Sequence, residues 1–118
     1  ELDATLSAAK KMDYKHVWAV FQPFTYTRTE RLLDDFAAVL SKADHVVMTE
    51  IMGSRERAED YTVRTKDLAA KIPGSVWFNT FDEVVEHVMT HAEPGDLVIT
   101  LGCGDIYKAA KKMMHWEG

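Results

Sequence analysis

The chain has 118 residues, of which 47% are hydrophobic and 28% charged, a composition typical of one globular domain. Its 14 basic and 19 acidic side chains give a formal charge of -5, which disfavours binding to nucleic acid or to an anionic membrane. A single cysteine excludes an intrachain disulfide and a multi-cysteine zinc site. A single cysteine also suits a reducing compartment, so we expect a cytoplasmic protein. No apolar run reaches the roughly 20 residues that span a bilayer, so we expect a soluble chain.

Apolar periodicity in the first half of the chain predicts a helix, a strand and a second helix. The first helix covers about Leu2 to Met12, and a buried strand over Val17 to Phe21 ends at Pro23. Thr27 and Glu30 match a capping box, which predicts that the second helix starts near Thr27. Because the first helix begins at the start of the chain without a capping residue, we expect a piece of a longer protein.

The second half of the chain continues the alternation of strands and helices. A strand over His45 to Ile51 precedes a charged loop over Gly53 to Tyr61, which we interpret as solvated. The remaining predicted elements are a helix over Thr65 to Ile72, a strand over Ser75 to Asn79, a helix capped by Thr80 or Asp82, a strand over Asp96 to Leu101 and a helix from Ile106. This order predicts an α/β fold, a Rossmann-like three-layer α/β/α domain with a mainly parallel sheet.

Two turns are candidate binding sites, because ligands of open α/β sheets sit beyond the carboxyl ends of the strands. The first is Gly102-Cys103-Gly104-Asp105, where the glycines let a ligand approach backbone N–H groups. The same glycines would also suit a turn that binds nothing. Tyr107 stands where the dinucleotide fingerprint needs a third glycine, which disfavours a nicotinamide cofactor, and the GxxxxGK[ST] loop for ATP phosphates is missing.

The second candidate turn runs from Gln22 to Thr29 and places Arg28 in the first turn of the predicted helix. A cation there is repelled by the helix dipole, by roughly 0.3 to 1 kcal/mol. A bound carboxylate or phosphate would explain both the arginine and the free N–H groups. The alternative is a solvent-facing arginine that turns away or pairs with Glu30 or Asp34.

Histidine and cysteine provide weaker candidates for chemistry. His87 and His91 have i, i+4 spacing, but Val88 replaces the glutamate of the zincin pattern, so we interpret them as exposed helix histidines. Cys103 at a helix N-terminus could be an activated nucleophile, although no base is evident beside it. A small side chain that fills a tight turn is the simpler interpretation. We predict no catalytic residue and no metal ligand in this chain.

The string VFQPFTYTRT from Val20 to Thr29, the LLDDF element after it and the GCGD turn together resemble the Mur ligase family. The likeness covers nearly the whole chain and is strongest to members that join L-alanine to UDP-N-acetylmuramate. It implies a three-domain ligase whose N-terminal domain holds the UDP-sugar and whose central domain binds ATP and magnesium. Residues 1–118 would be the C-terminal amino-acid-binding domain, inactive alone, of a cytoplasmic enzyme of peptidoglycan and cell wall biogenesis.

The resemblance also implies roles for individual residues. Arg28 would bind the alanine carboxylate. The walls of the pocket would be Phe24, Thr25, Tyr26, Gly102, Cys103 and Gly104. Phe24 replaces the usual histidine, which removes a donor, and Cys103 replaces the usual alanine. Two alternatives remain open: a stand-alone small-molecule binding or interaction module of similar fold, and a sister ligase that adds a different residue or a recycled peptide.

Overall fold

A computed structural model describes residues 2–53, 55–102 and 106–116. One sheet contains four strands in the order β3-β2-β1-β4, and every neighbouring pair is parallel. The strands are β1 (Val17–Gln22), β2 (His45–Thr49), β3 (Val76–Phe78) and β4 (Leu97–Gly102). The predicted parallel α/β architecture is therefore confirmed.

Helices cover both faces of this sheet. They are α1 (Leu2–Lys10), α2 (Tyr26–Arg31), α3 (Leu33–Leu40), α4 (Thr65–Ala69), α5 (Phe81–His91) and α6 (Ile106–Met114), with a short 3-10 helix at Ala58–Asp60. Helices α1, α3 and α4 contribute to the core on one face, and α5 and α6 to the core on the other. In the described residues, no helix has the length and apolar character to cross a membrane.

Strand β1 lies inside the sheet and contributes side chains to the cores on both of its faces. All six of its residues are buried, as expected of a parallel strand that is covered on both faces. Ala19 and Phe21 pack with α1 and α3, whereas Trp18 and Val20 pack with α5 and α6. This alternation brings the polar side chain of Gln22 to the α5 side at the end of the strand.

The helix predicted to start near Thr27 differs from the observed structure. It begins at Tyr26 and is interrupted at Leu32, whose φ of -107° and ψ of 20° leave the helical region. The interruption lets Tyr26 pack with one apolar cluster while Phe36 packs with another. Four further predictions ran too long, since α1 ends at Lys10, β2 at Thr49, α4 at Ala69 and β3 at Phe78. Thr80 does cap α5.

Asp96 joins the starts of β1 and β4. Its carboxylate accepts hydrogen bonds from the Trp18 indole and the Glu93 backbone N–H, both at 2.9 Å, and lies 3.1 Å from His16 Nδ1. Only 3% of the Asp96 side chain is exposed. The Glu93 N–H bond above all, together with Trp18 and His16, lowers the pKa of Asp96 to about 2, against the effect of burial.

Replacing Asp96 with asparagine is expected to lower the Tm, because an amide offers a single acceptor oxygen to these donors. The folded pKa of about 2 lies below the ordinary 3.8, so the stabilisation is present above about pH 4 and is lost as the pH falls through the folded pKa. Thermal unfolding followed by circular dichroism should show a Tm below that of wild type, and this Tm difference should be largest at neutral pH. Asp13→Asn, at an exposed position, is the control; a difference independent of pH would contradict the assignment.

Candidate functional site

The two predicted turns meet at the carboxyl edge of the sheet. Gln22 at the end of β1 is the register partner of Gly102 at the end of β4. Strands β2 and β4 lie on opposite sides of β1, so this edge contains the switch point at which α/β sheets bind ligands. The shared location is confirmed for Gly102, while Cys103 and Gly104 lie outside the described residues.

Gly102 has a backbone that requires glycine. Its φ is +118°, and a Cβ added there would lie 2.5 Å from the carbonyl oxygen of Gln22. A real Cβ does not approach a backbone oxygen so closely, and L side chains rarely adopt this φ. The glycine therefore allows β4 to stay beside β1 up to the turn.

Thr25, and not Thr27, caps the helix after β1. Its Oγ1 accepts from the Arg28 N–H at 3.3 Å, and its carbonyl accepts from the Thr29 hydroxyl at 2.8 Å. The φ of 62° at Thr25 is unusual for a β-branched residue and indicates a strained turn. Hydrogen bonds of 2.8 Å from Thr25 N–H to the Met52 carbonyl and from Met52 N–H to the Pro23 carbonyl hold it in place.

Arg28 is exposed in the first turn of α2. Within the part of the chain that the structure describes, its guanidinium makes no hydrogen bond or ion pair. Asp34, one of the two predicted partners, instead pairs with Lys71 at 2.8 Å. Arg28 is therefore available to an anionic ligand.

Glu56 occupies the N-terminus of α2, where sequence analysis expected free N–H groups. Its carboxylate accepts from the Tyr26 backbone N–H, from the Thr27 backbone N–H and from the Thr27 hydroxyl. The Tyr61 hydroxyl lies 3.4 Å from the same carboxylate and 2.9 Å from Thr27 Oγ1. The interpretation of this loop as merely solvated was therefore wrong for Glu56.

The hydrogen bonds also affect the electrostatics of the turn. The Thr27 hydroxyl above all, and then the N–H groups of Tyr26 and Thr27, lower the pKa of Glu56. Glu56 is thus an internal anion at the positive end of α2. The first N–H groups of α2 are therefore already occupied by Glu56 and Thr25.

Glu56→Gln is expected to loosen the first turn of α2, because an amide cannot match the charge-assisted bonds. Hydrogen exchange of the Tyr26 and Thr27 amides should become several-fold faster at neutral pH. Glu59→Gln is the matched control, since Glu59 lies in the same loop and binds Arg57. Equal exchange rates in both variants would show that Glu56 does not hold the helix.

The aromatic residues of the turn have different environments. Tyr26 is 8% exposed and packs with Ile51 and Val63, with its ring stacked on Tyr61 at 5.6 Å and the Arg64 guanidinium 5.4 Å from its centre. Its ring supports the turn from inside. The Phe24 side chain is half-buried, and its backbone forms an isolated parallel bridge with Met52.

The two helix histidines also differ from each other. His91 is exposed, but His87 is half-buried, and its ring lies 5.3 Å from that of Phe78. Burial above all, and then His91 and His45, lower the pKa of His87. The prediction of two exposed histidines therefore holds only for His91. Among the described residues, no three histidine, cysteine or acidic side chains are placed to hold a metal ion.

Sequence analysis included Gln22 in the second candidate turn but predicted no role for it, and it predicted no role for Glu56. Gln22 is 7% exposed, and in the part of the chain that the structure describes its buried Oε1 has no hydrogen-bond partner. The signal for Gln22 was a polar residue that directly extends a buried apolar strand. Glu56 gave no such signal, because one acidic residue in a charged loop does not indicate its partner.

Comparisons with known proteins agree with the fold. A family model described as "Mur ligase, glutamate ligase domain" matches residues 1–104. A solved domain from Haemophilus ducreyi, described as part of a UDP-N-acetylmuramate:L-alanyl-gamma-D-glutamyl-medo-diaminopimelate ligase, has a TM-score of 0.65 and 17% identity. The alignment covers 97% of this chain and 79% of that domain, and at this identity it supports the fold alone.

Curated relatives are more similar in sequence. A UDP-N-acetylmuramate--L-alanine ligase from Acetivibrio thermocellus is 39% identical over 118 residues, which cover 97% of this chain and 25% of the relative. A ligase of the same name from Alkaliphilus metalliredigens is 41% identical over 117 residues, with the same coverage. The chain thus spans about a quarter of the length of these relatives.

Proposed function

The chain belongs to the Mur ligase family, and we propose that it is the amino-acid-binding, C-terminal domain of a longer ligase that joins L-alanine to UDP-N-acetylmuramate. The observation that carries this proposal is Arg28, a cation at the carboxyl edge of the sheet that has no partner among the described residues, in a chain whose relatives are named UDP-N-acetylmuramate--L-alanine ligase. A cytoplasmic location is part of the proposal and suits the single cysteine.

In the proposed reaction, the terminal phosphoryl group of ATP passes to the lactyl carboxylate of UDP-N-acetylmuramate, giving an acyl phosphate and ADP. The alanine ammonium first loses a proton, and the resulting amine attacks the acyl carbon. The amide bond forms as phosphate leaves and the nitrogen loses a second proton. This chain has no GxxxxGK[ST] loop, and its described residues form no metal cluster. ATP, magnesium and the UDP-sugar would therefore bind to other parts of the longer protein.

The role proposed for this chain is to hold the amino acid. The Arg28 guanidinium would bind the substrate carboxylate through charge-assisted hydrogen bonds. The surrounding walls would come from the turn of Phe24, Thr25 and Tyr26 and from the turn of Gly102, Cys103 and Gly104. The buried ring of Tyr26 would support this wall from behind, so that ligand contact falls to the rest of the turn.

The test is amino-acid-dependent release of phosphate by the full-length protein, with ATP and UDP-N-acetylmuramate present. Five acceptors are compared: L-alanine, glycine, L-serine, D-glutamate and an L-alanyl-γ-D-glutamyl-diaminopimelate peptide. We expect the highest kcat/KM for L-alanine. A preference for the peptide would favour the sister ligase, and no release with any acceptor would favour a binding module.

The isolated 118 residues are expected to release no phosphate from ATP under the same conditions, because they lack a phosphate-binding loop. The measurement is the same assay on the purified chain, with the full-length protein as the positive control. ATP-dependent phosphate release by the purified chain would contradict this division of labour.

A further inference from the structure

Gln22 lines an open cleft of about 410 Å³ at the carboxyl edge of the sheet. The cleft lies where β1 and β2 end and α5 begins, and Thr49, Glu50 and Asn79 also line it. Gln22 is more than nine-tenths buried, yet its Oε1 has no hydrogen-bond partner among the described residues. A buried acceptor without a donor destabilises the folded protein, so it is a candidate to pair with a ligand.

The polar groups of this cleft favour a cation. Glu50 is half-buried and, within the described residues, has no hydrogen bond or ion pair on its carboxylate. The described lining contains no lysine or arginine. The first turn of α5 adds Asp82 and Glu83, which reduces the attraction of that helix end for anions.

The Gln22 amide can present its oxygen to such a ligand. The two orientations of a carboxamide have nearly the same shape, so a rotation about the last side-chain bond can turn the Gln22 oxygen from its buried position towards the cleft, with the amide nitrogen taking the buried position. A primary ammonium carries three N–H donors and a positive charge. It would satisfy both the amide oxygen and the Glu50 carboxylate.

The cleft is continuous with the turn that carries Arg28. Met52 and Gly53 line the cleft, Met52 accepts the backbone hydrogen bond of Thr25, and Gly53 lies against the Tyr26 ring. Within the described residues, this edge of the sheet therefore carries a cation without a partner and, in the neighbouring cleft, acceptors without a partner. These are the two kinds of group that bind the ends of a zwitterion.

We propose that the cleft is an ammonium subsite in which Gln22 and Glu50 bind the amino group of the incoming amino acid. The identity of this amine rests on the proposed function. Gln22 and Glu50 would thus select substrates with a free primary amine, while Arg28 binds the carboxylate end.

The experiment separates the two ends of the substrate in the full-length protein. The probes are L-alanine as substrate and propionate, which has the carboxylate but no amine, as inhibitor. Gln22→Met and Glu50→Gln are expected to raise the KM for L-alanine roughly ten-fold, as for loss of one hydrogen bond to a charged group, and to leave the inhibition constant of propionate unchanged. Glu59→Gln, a loop carboxylate outside the cleft lining, should change neither constant.

Arg28→Ala should raise both the KM for L-alanine and the inhibition constant of propionate. The subsite would be overturned if Gln22→Met and Glu50→Gln raised the KM for L-alanine and the inhibition constant of propionate equally. It would also be overturned if neither variant raised the KM for L-alanine. Should Gln22→Met fail to fold, Glu50→Gln, at a half-buried position, decides the question alone.

A titration with ethylamine keeps the subsite testable if the proposed function fails. If the wild-type protein does not use L-alanine, the proposed reaction is wrong, and binding of ethylamine is followed by NMR near neutral pH. Binding that Glu50→Gln abolishes and Glu59→Gln preserves would support the ammonium subsite. Absence of binding to the wild-type protein, or binding unaffected by Glu50→Gln, would overturn it.

Discussion

Replacing Arg28 with alanine in the full-length protein is expected to lower kcat/KM for L-alanine by roughly 10- to 150-fold. The range corresponds to about 1.5 to 3 kcal/mol, the contribution of a hydrogen bond to a charged group. Because Glu56 already occupies the first N–H groups of α2, the helix end cannot take over the substrate carboxylate. Steady-state kinetics with each substrate varied in turn should show the loss for L-alanine alone.

Arg31→Ala is the matched control for this experiment. Arg31 lies on the same short helix and is also exposed, but it lines a different groove, beside Asp34 and Lys71. Both variants remove one positive charge from α2. We expect Arg31→Ala to keep kcat/KM within about two-fold of wild type, as is usual for a surface substitution. Equal effects of the two variants would mean that Arg28 is an ordinary surface residue.

The fold was predictable because its signals are local. The buried run from Val17 and the spacing of Val84, Val85 and Val88 each identify one element from neighbouring residues alone. The order of those elements then implied right-handed crossovers and a parallel sheet. The interruption of the helix at Leu32 was not predictable in this way, because it depends on which clusters Tyr26 and Phe36 reach after folding.

The candidate site was only partly predictable, for a related reason. Position in the chain identified Arg28 and Gly102, since Arg28 follows the end of β1, Gly102 is the end of β4, and the topology brings these strand ends together. Glu56 acts on α2 from thirty residues further along the chain, and no periodic pattern connects such positions. The capping box of Thr27 and Glu30 had the correct residue types, but the strained backbone at Thr25 moved the cap two residues earlier.

Gly102→Ala is expected to destabilise the protein by roughly 2 to 6 kcal/mol. One part is backbone strain of about 1 to 3 kcal/mol for a residue other than glycine at φ +118°. The other is overpacking of about 1 to 3 kcal/mol, because the new methyl group would lie 2.5 Å from the Gln22 carbonyl oxygen. Urea unfolding should show a lower midpoint with an unchanged slope.

Gly74→Ala separates these two contributions. Gly74 also has a positive φ, +83°, but an added Cβ would have no atom within 4 Å, so only the backbone cost applies. The difference between the two variants then measures the contact with Gln22. If the alanine variants lost equal stability, β4 would not be held against β1 at this point. A larger loss for Gly102→Ala, accompanied by a raised KM for L-alanine, would show that the backbone contact between Gln22 and Gly102 keeps the binding edge in place.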